Sequence, residues 1–368
     1  MLAHNLPQNL MDAQFCPTQG PSAPSCPVWN VEEWVRGEPV LLMRRPGDDV
    51  LSARLMLAPD ELLEVRRATG ESVSMDGITI QGDRLLVCGR ADLPALADDE
   101  LIFSGSCPES VGKHRDGKRH IRFSEGSDYH RLQISIDYRT RAQWTGPVPQ
   151  AQRQELARVH QRLERGEGLT LAVLGDSISS GANASAVVHV PPYQSAYPQL
   201  LACRLQEKTR GTISLYNLSK GGMRSAWGRE QCQRVIGVMP DLLIIAFGMN
   251  DASDGIPVEE FRKNIEALIG TVRATLPDCE VIVVSGMTPN PEWHLSKPEV
   301  RQRMHEQLKA LQGPGVAFCD VNSIWSELVR RKGFFSLTGN GVNHPNDFGH
   351  RLYANCLYAT FDLKEKCS

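Results

Sequence analysis

Five short apolar runs, at residues 171–174, 213–218, 242–247, 281–284 and 316–318, punctuate the second half of this 368-residue chain. Strands buried on both faces read as continuous apolar runs, and parallel strands need crossovers of a dozen residues or more. The segments between these runs carry helical periodicity. The clearest places Phe261, Ile265, Leu268, Ile269 and Val272 on one face, with Pro257 at its start and Glu259 and Glu260 in its first turn. Buried strands alternating with helices predict a three-layer α/β/α arrangement around a parallel sheet.

The first half has a different texture. Leu132, Ile134, Ile136 and Tyr138 alternate with Gln133, Ser135 and Asp137, a period of two. Short runs of similar character occupy residues 53–57, 62–66, 78–80, 85–88 and 121–123, separated by Gly- and Asp-containing turns. This pattern predicts a small antiparallel β-sandwich, jelly-roll-like, over residues 31–150. Residues 1–30, rich in Pro, Gln, Asn and Ser, read as a poorly ordered arm or surface strap. A connecting helix, with Leu156, Val159 and Leu163 on one face, fills residues 151–168. The α/β domain then spans residues 169–368. So short a connection implies that the two domains form one cleft.

Composition narrows the function classes. Forty basic against forty-three acidic side chains give a formal net charge of −3, which argues against nucleic acid as a partner. No apolar run is long enough to span a bilayer, and the N-terminus shows no basic region followed by an apolar core. Ten scattered cysteines without a Cys-x-x-Cys pair read as reduced thiols of a cytoplasmic protein. The ten dispersed histidines give no zinc motif, so neither metal nor cofactor is expected.

Ligands of open α/β sheets bind beyond the carboxyl ends of the strands. The residues following the apolar runs are Gly175-Asp176-Ser177, then Asn217 through Gly222, then Gly248-Met249-Asn250-Asp251. Near the C-terminus stands Asn343-His344-Pro345-Asn346-Asp347. Taken singly, each is an ordinary turn or helix cap. Taken together, they supply an acyl-transfer site. Ser177 is the candidate nucleophile, and His344 the base that takes its proton. The Ser177 and Gly222 amides and the Asn250 side chain are candidate oxyanion donors.

The order and spacing of these blocks resemble the SGNH (GDSL) serine hydrolases over about the last 200 residues. The resemblance implies the same roles for Ser177, Gly222, Asn250 and His344. One departure matters. The family's usual Asp, three residues before the His, is replaced here by Gly341. Asp347 and Asp320 are the candidate substitutes, although Asp347 also reads as a first-turn residue of the last helix. The preferred expectation is a Ser–His dyad whose imidazole is oriented by a backbone carbonyl.

A β-sandwich ahead of an SGNH domain is similar in layout to carbohydrate esterase family two. That layout implies an O-deacetylase acting on a small-molecule or oligosaccharide ester. Tyr193, Trp227 and Trp293 are candidate sugar-stacking aromatics, with core or lid packing as the competing reading. The alternatives are a broad carboxylesterase or lysophospholipase, and a carbohydrate-binding protein with an inactive hydrolase domain.

Overall fold

The structure is a computed structural model and describes residues 28–31, 33–44, 50–106 and 112–363. Most of the expected N-terminal arm, residues 1–27, lies outside these. Val28 and Val31 are buried against the main core.

Among the described residues, the β-rich part has ten strands: β1 (Trp34–Leu41), β2 (Met43–Arg44), β3 (Val50–Arg54), β4 (Glu61–Arg67), β5 (Ile78–Gln81), β6 (Arg84–Cys88), β7 (Leu96–Ala97), β8 (Ile102–Phe103), β9 (His120–Ile121) and β10 (Gln133–Arg139). One antiparallel sheet has the order β1-β10-β4, a second has β5-β6-β3-β2-β7, and β8 pairs with β9. The β2–β7 pair is parallel, so the expected all-antiparallel pairing is amended there. The period-two pattern holds from Ile134 onward: Ile134, Ile136 and Tyr138 face the core, while Ser135 and Asp137 lie less deep; Leu132 instead ends the helix Asp128–Leu132, and Gln133 is buried. Val40 and Val65 join them from their own sheet, and Leu51, Leu85 and Val87 from the other.

The second sheet region contains five parallel strands: β11 (Leu169–Gly175), β12 (Ile213–Asn217), β13 (Leu242–Ala246), β14 (Glu280–Ser285) and β15 (Val316–Asp320), in the order β12-β11-β13-β14-β15. Helices cover both faces. Leu171, Val173 and Ile244 face one core with Leu201, Trp325 and Leu357. Ala172, Leu174, Leu243 and Ile245 face the other with Phe261, Ile265 and Leu308. This is why the strands read as unbroken apolar runs. The chain order reverses at β11, so a crevice opens beyond the carboxyl ends of β11 and β13, where ligands bind in such sheets.

The connecting helix, Ala157–Glu164, begins where the Glu280 carboxylate accepts the Arg158 and Val159 amides at 3.0 and 2.9 Å. The two sheet regions share one continuous core. Polar contacts join them as well. Gln133 Nε2 donates to the carbonyls of Phe335 and Thr338 at 3.0 and 2.9 Å, and Arg351 Nη2 donates to Gly37 O at 2.8 Å.

The cysteines meet the expectation of reduced thiols only in part. Cys232, Cys279, Cys319 and Cys356 are free and buried, whereas Cys88 is free but exposed. Cys203 is disulfide-bonded.

Candidate active site

Ser177 opens a single helical turn, Ser177–Ser180, directly after β11. Asp176 caps that turn, its Oδ1 accepting the Ile178 amide at 3.0 Å, which keeps Asp176 beneath the site. Burial above all pushes the Asp176 carboxyl up to about 7. Asp251 adds to this effect, while the Ile178 amide, His344 and Arg301 oppose it.

His344 stands on a loop that its own side chains fold. Asn340 Oδ1 accepts the amides of Val342, Asn343 and His344 at 3.0, 2.9 and 3.0 Å. Thr338 Oγ1 donates to the His344 carbonyl at 2.9 Å and accepts the Gly341 amide at 2.9 Å. Asn346 then caps the last helix, Asp347–Thr360.

This loop places His344 Nε2 2.9 Å from Ser177 Oγ. At the other ring nitrogen, Nδ1 lies 2.8 Å from Asn183 Oδ1 and 3.0 Å from Glu125 Oε2. The Asn183 Nδ2 group faces three carbonyls, those of Glu125, Gly126 and Gly339, at 3.2, 3.3 and 3.1 Å. An amide NH2 must face carbonyls, so Oδ1 faces the ring and requires a proton on Nδ1. That tautomer leaves Nε2 free to accept from the Ser177 hydroxyl.

The expected backbone-carbonyl orienter is thus replaced by two side chains. Asn183 follows Ser177 by six residues, in a left-handed conformation (φ 58°) that Asn tolerates better than most residues. Glu125 comes from the β-rich part, on the loop between β9 and the helix Asp128–Leu132. Nothing in its local sequence, Ser124-Glu125-Gly126, marks it. Asp347 and Asp320 are engaged elsewhere. Asp347 Oδ1 accepts the Ser185 amide at 2.8 Å. Asp320 caps the helix Val321–Lys332 by accepting the Ser323 amide and hydroxyl at 2.9 and 2.7 Å.

Gly222, at φ 76°, lies on the loop that runs beside the Ser177 turn. Asn217 Nδ2 donates to Ser179 O at 2.8 Å, and the Lys220 amide to Gly175 O at 3.1 Å. A Cβ on Gly221 would stand 3.8 Å from the Ser177 Cβ. Asn250, in the helix Met249–Asp254 after β13, donates from Nδ2 to Met223 O at 2.9 Å. The ends of three adjacent strands therefore bring Ser177, the Gly222 loop and Asn250 together.

Residues 173–352 match the GDSL-like Lipase/Acylhydrolase family. The parallel-sheet domain belongs to that family. A search of curated proteins found no match. Solved structures similar to this chain include a two-domain esterase active on acetylated mannans, at 23% identity and a TM-score of 0.45. That likeness covers 59% of this chain and 55% of the other, just over half its length. A lipase from a goat rumen metagenome is similar at 16% identity and a TM-score of 0.44, covering 52% of this chain and 97% of its own. An acetylxylan esterase from Geobacillus stearothermophilus is similar at 15% identity and a TM-score of 0.43, covering 54% and 96%.

The remaining residues of the GDSL-like domain singled out from sequence are dispersed. Tyr193 is 61% exposed, on the loop that follows Asn183. Trp227 is half-buried, edge-on to the Phe247 ring at 6.4 Å. Trp293 is 4% exposed and packs with Ile121 and Val342, in contact between the two parts of the chain rather than open to a ligand. Among the described residues, no group of His, Cys, Asp and Glu could hold a metal ion, and no helix is long and apolar enough to cross a membrane.

Proposed function

We propose that this chain is a serine esterase that removes short acyl groups, acetyl foremost, from carbohydrates. The observation that carries the reading is the 2.9 Å contact between Ser177 Oγ and His344 Nε2, with Asn183 fixing the tautomer that makes Nε2 the acceptor. In this reading Ser177 Oγ attacks the ester carbonyl carbon while its proton passes to Nε2. The tetrahedral oxyanion takes hydrogen bonds from the Ser177 and Gly222 amides and from Asn250 Nδ2, which swings from the Met223 carbonyl. The bond to the alcohol breaks, and the Nε2 proton goes to the leaving oxygen. Water then attacks the acyl-enzyme, gives a proton to Nε2, and releases the acid as Ser177 recovers its hydrogen.

A sugar alcohol suits the surroundings. Ser180, Lys220 and Arg224 form an exposed polar rim, and the Glu125 side chain is 56% exposed. This reading assigns the exposed Tyr193, on the loop after Asn183, to a sugar face. The test is hydrolysis of 4-nitrophenyl esters of increasing chain length, followed by acetate release from acetylated oligosaccharides. We expect activity to peak at acetyl, and Ser177→Ala to lose both turnover and labelling by a serine-directed phosphonate. A preference for long acyl chains would favour a lipase. An unlabelled, inert wild type would favour a binding protein.

A further inference from the structure

The loop that carries His344 lacks a carboxylate because its space is taken. Gly341 sits at φ 87°, and a Cβ there would lie 2.1 Å from the Arg122 carbonyl oxygen and 2.3 Å from the Tyr129 hydroxyl. An aspartate cannot occupy that position. The obstructing segment, residues 122–129, belongs to the β-rich part, and the same segment delivers Glu125 to within 3.0 Å of His344 Nδ1.

We propose that Glu125 is the positioning carboxylate of His344, supplied across the domain boundary in place of the acid its own loop cannot hold. The proposal rests on the esterase reading above. It assigns separate tasks to the two groups at Nδ1. Asn183 is neutral and buried, so it fixes the tautomer. Glu125 carries the charge, so it stabilises the imidazolium that forms when Ser177 gives up its proton.

The segment is anchored on both sides, so this placement is built into the fold. Tyr129 Oη donates to Arg122 O at 2.7 Å, and the Arg122 amide donates to Leu101 O at 2.8 Å. The Ser124 amide donates to Asn340 O at 3.2 Å, on the histidine loop itself. Asn183 grips the carbonyls of Glu125 and Gly126, while His130 Nε2 donates to Asn183 O at 2.8 Å. Glu125 is also held ionised. Burial acts to raise its pKa, but the hydrogen bond and charge of His344, with a contribution from Asn340, bring it below the usual glutamate value.

The expected effect is smaller than that of a buried triad acid. Removing the latter can cost on the order of 10⁴ in kcat. Glu125 is more than half exposed, and solvent screens its charge. A loss of about 10–10²-fold is therefore expected for Glu125→Gln, which keeps the size and an acceptor oxygen but removes the charge.

The experiment compares wild type with Glu125→Gln on 4-nitrophenyl acetate, alongside phosphonate labelling of Ser177. Support is a kcat reduced about 10–10²-fold, KM within about twofold of wild type, an unchanged melting temperature and labelling slowed by the same factor. A kcat within twofold of wild type, or a loss carried by KM alone, overturns the proposal and leaves the esterase reading intact. Should Glu125→Gln melt early, Glu125→Ala decides. Recovery of kcat with sodium formate, and not with sodium chloride at equal ionic strength, upholds the proposal, and no recovery overturns it. An inert wild type removes the esterase reading and this proposal together.

Discussion

Lys332 and Glu38 form an ion pair at 2.6 Å with both side chains fully buried. Lys332 ends the helix Val321–Lys332 of the GDSL-like domain, and Glu38 lies on β1. The pair is fully dressed. Glu38 also accepts the Met56 amide at 2.8 Å and the Tyr138 hydroxyl at 2.7 Å, and Lys332 also donates to Pro39 O at 2.6 Å. Burial lowers the Lys332 pKa, and the Glu38 charge opposes that.

Removing one member of such a pair leaves a buried charge without a partner, at a cost of about 3–5 kcal/mol. Lys332→Met is therefore expected to lower unfolding stability by that amount in a urea titration. Glu38→Gln with Lys332→Met should cost less than the sum of the single changes. A single-variant loss below about 1 kcal/mol would show that the pair is not holding the domains together.

Asn250→Ala is expected to lower kcat by about 10²–10³ while KM changes little, since an oxyanion donor acts on the transition state. Steady-state kinetics on an acetyl ester decide this. An unchanged kcat with a raised KM would assign Asn250 to ground-state binding instead.

Asn183→Asp keeps an acceptor for His344 Nδ1 but loses the NH2 that serves three carbonyls. Leaving buried acceptors unserved costs about 1–3 kcal/mol each. A drop in melting temperature is expected together with a fall in turnover. A variant as stable as wild type would mean that water takes over those carbonyls.

His350 gives the fold a dependence on pH. It is fully buried, its Nε2 donates to Ala182 O at 3.1 Å, and its Nδ1 has no partner among the described residues. Burial above all lowers its pKa from 6.5 to about 4. The unfolded chain then binds this proton first as pH falls. Its contribution is whole above about pH 6.5 and lost between there and about pH 4, up to about 3 kcal/mol. Asp176, raised to about 7, works in the opposite sense over much of that window. The difference between wild type and His350→Gln isolates the histidine. Parallel stability curves between pH 7 and 4 would contradict the assignment.

The sheet domain was legible because each strand buries alternate residues on two faces, so Leu171 through Leu174 had to be apolar throughout. Ser177, Gly222 and Asn250 were legible as candidates because ligands of such sheets bind just past strand ends, while His344, on a loop between two helices, was marked by its sequence block alone. Glu125 was not. It lies 219 residues from His344 in the chain, on a loop whose composition marks only a turn. The glycine at 341 reads in sequence as a missing acid, whereas in space the Arg122 carbonyl and the Tyr129 hydroxyl occupy the position. Trp293 likewise offered an aromatic face in sequence but spends it on Ile121 and Val342.

The collision awaiting any side chain at 341 bears on how this chain could be re-engineered. Writing Asp into the histidine loop would not install a self-contained triad, because the Arg122 carbonyl and the Tyr129 ring already stand there. Nor is the β-rich part an interchangeable cassette. Grafting another module in its place would take away the wall against which the histidine loop is moulded, so the seam between the two domains is a poor place to splice.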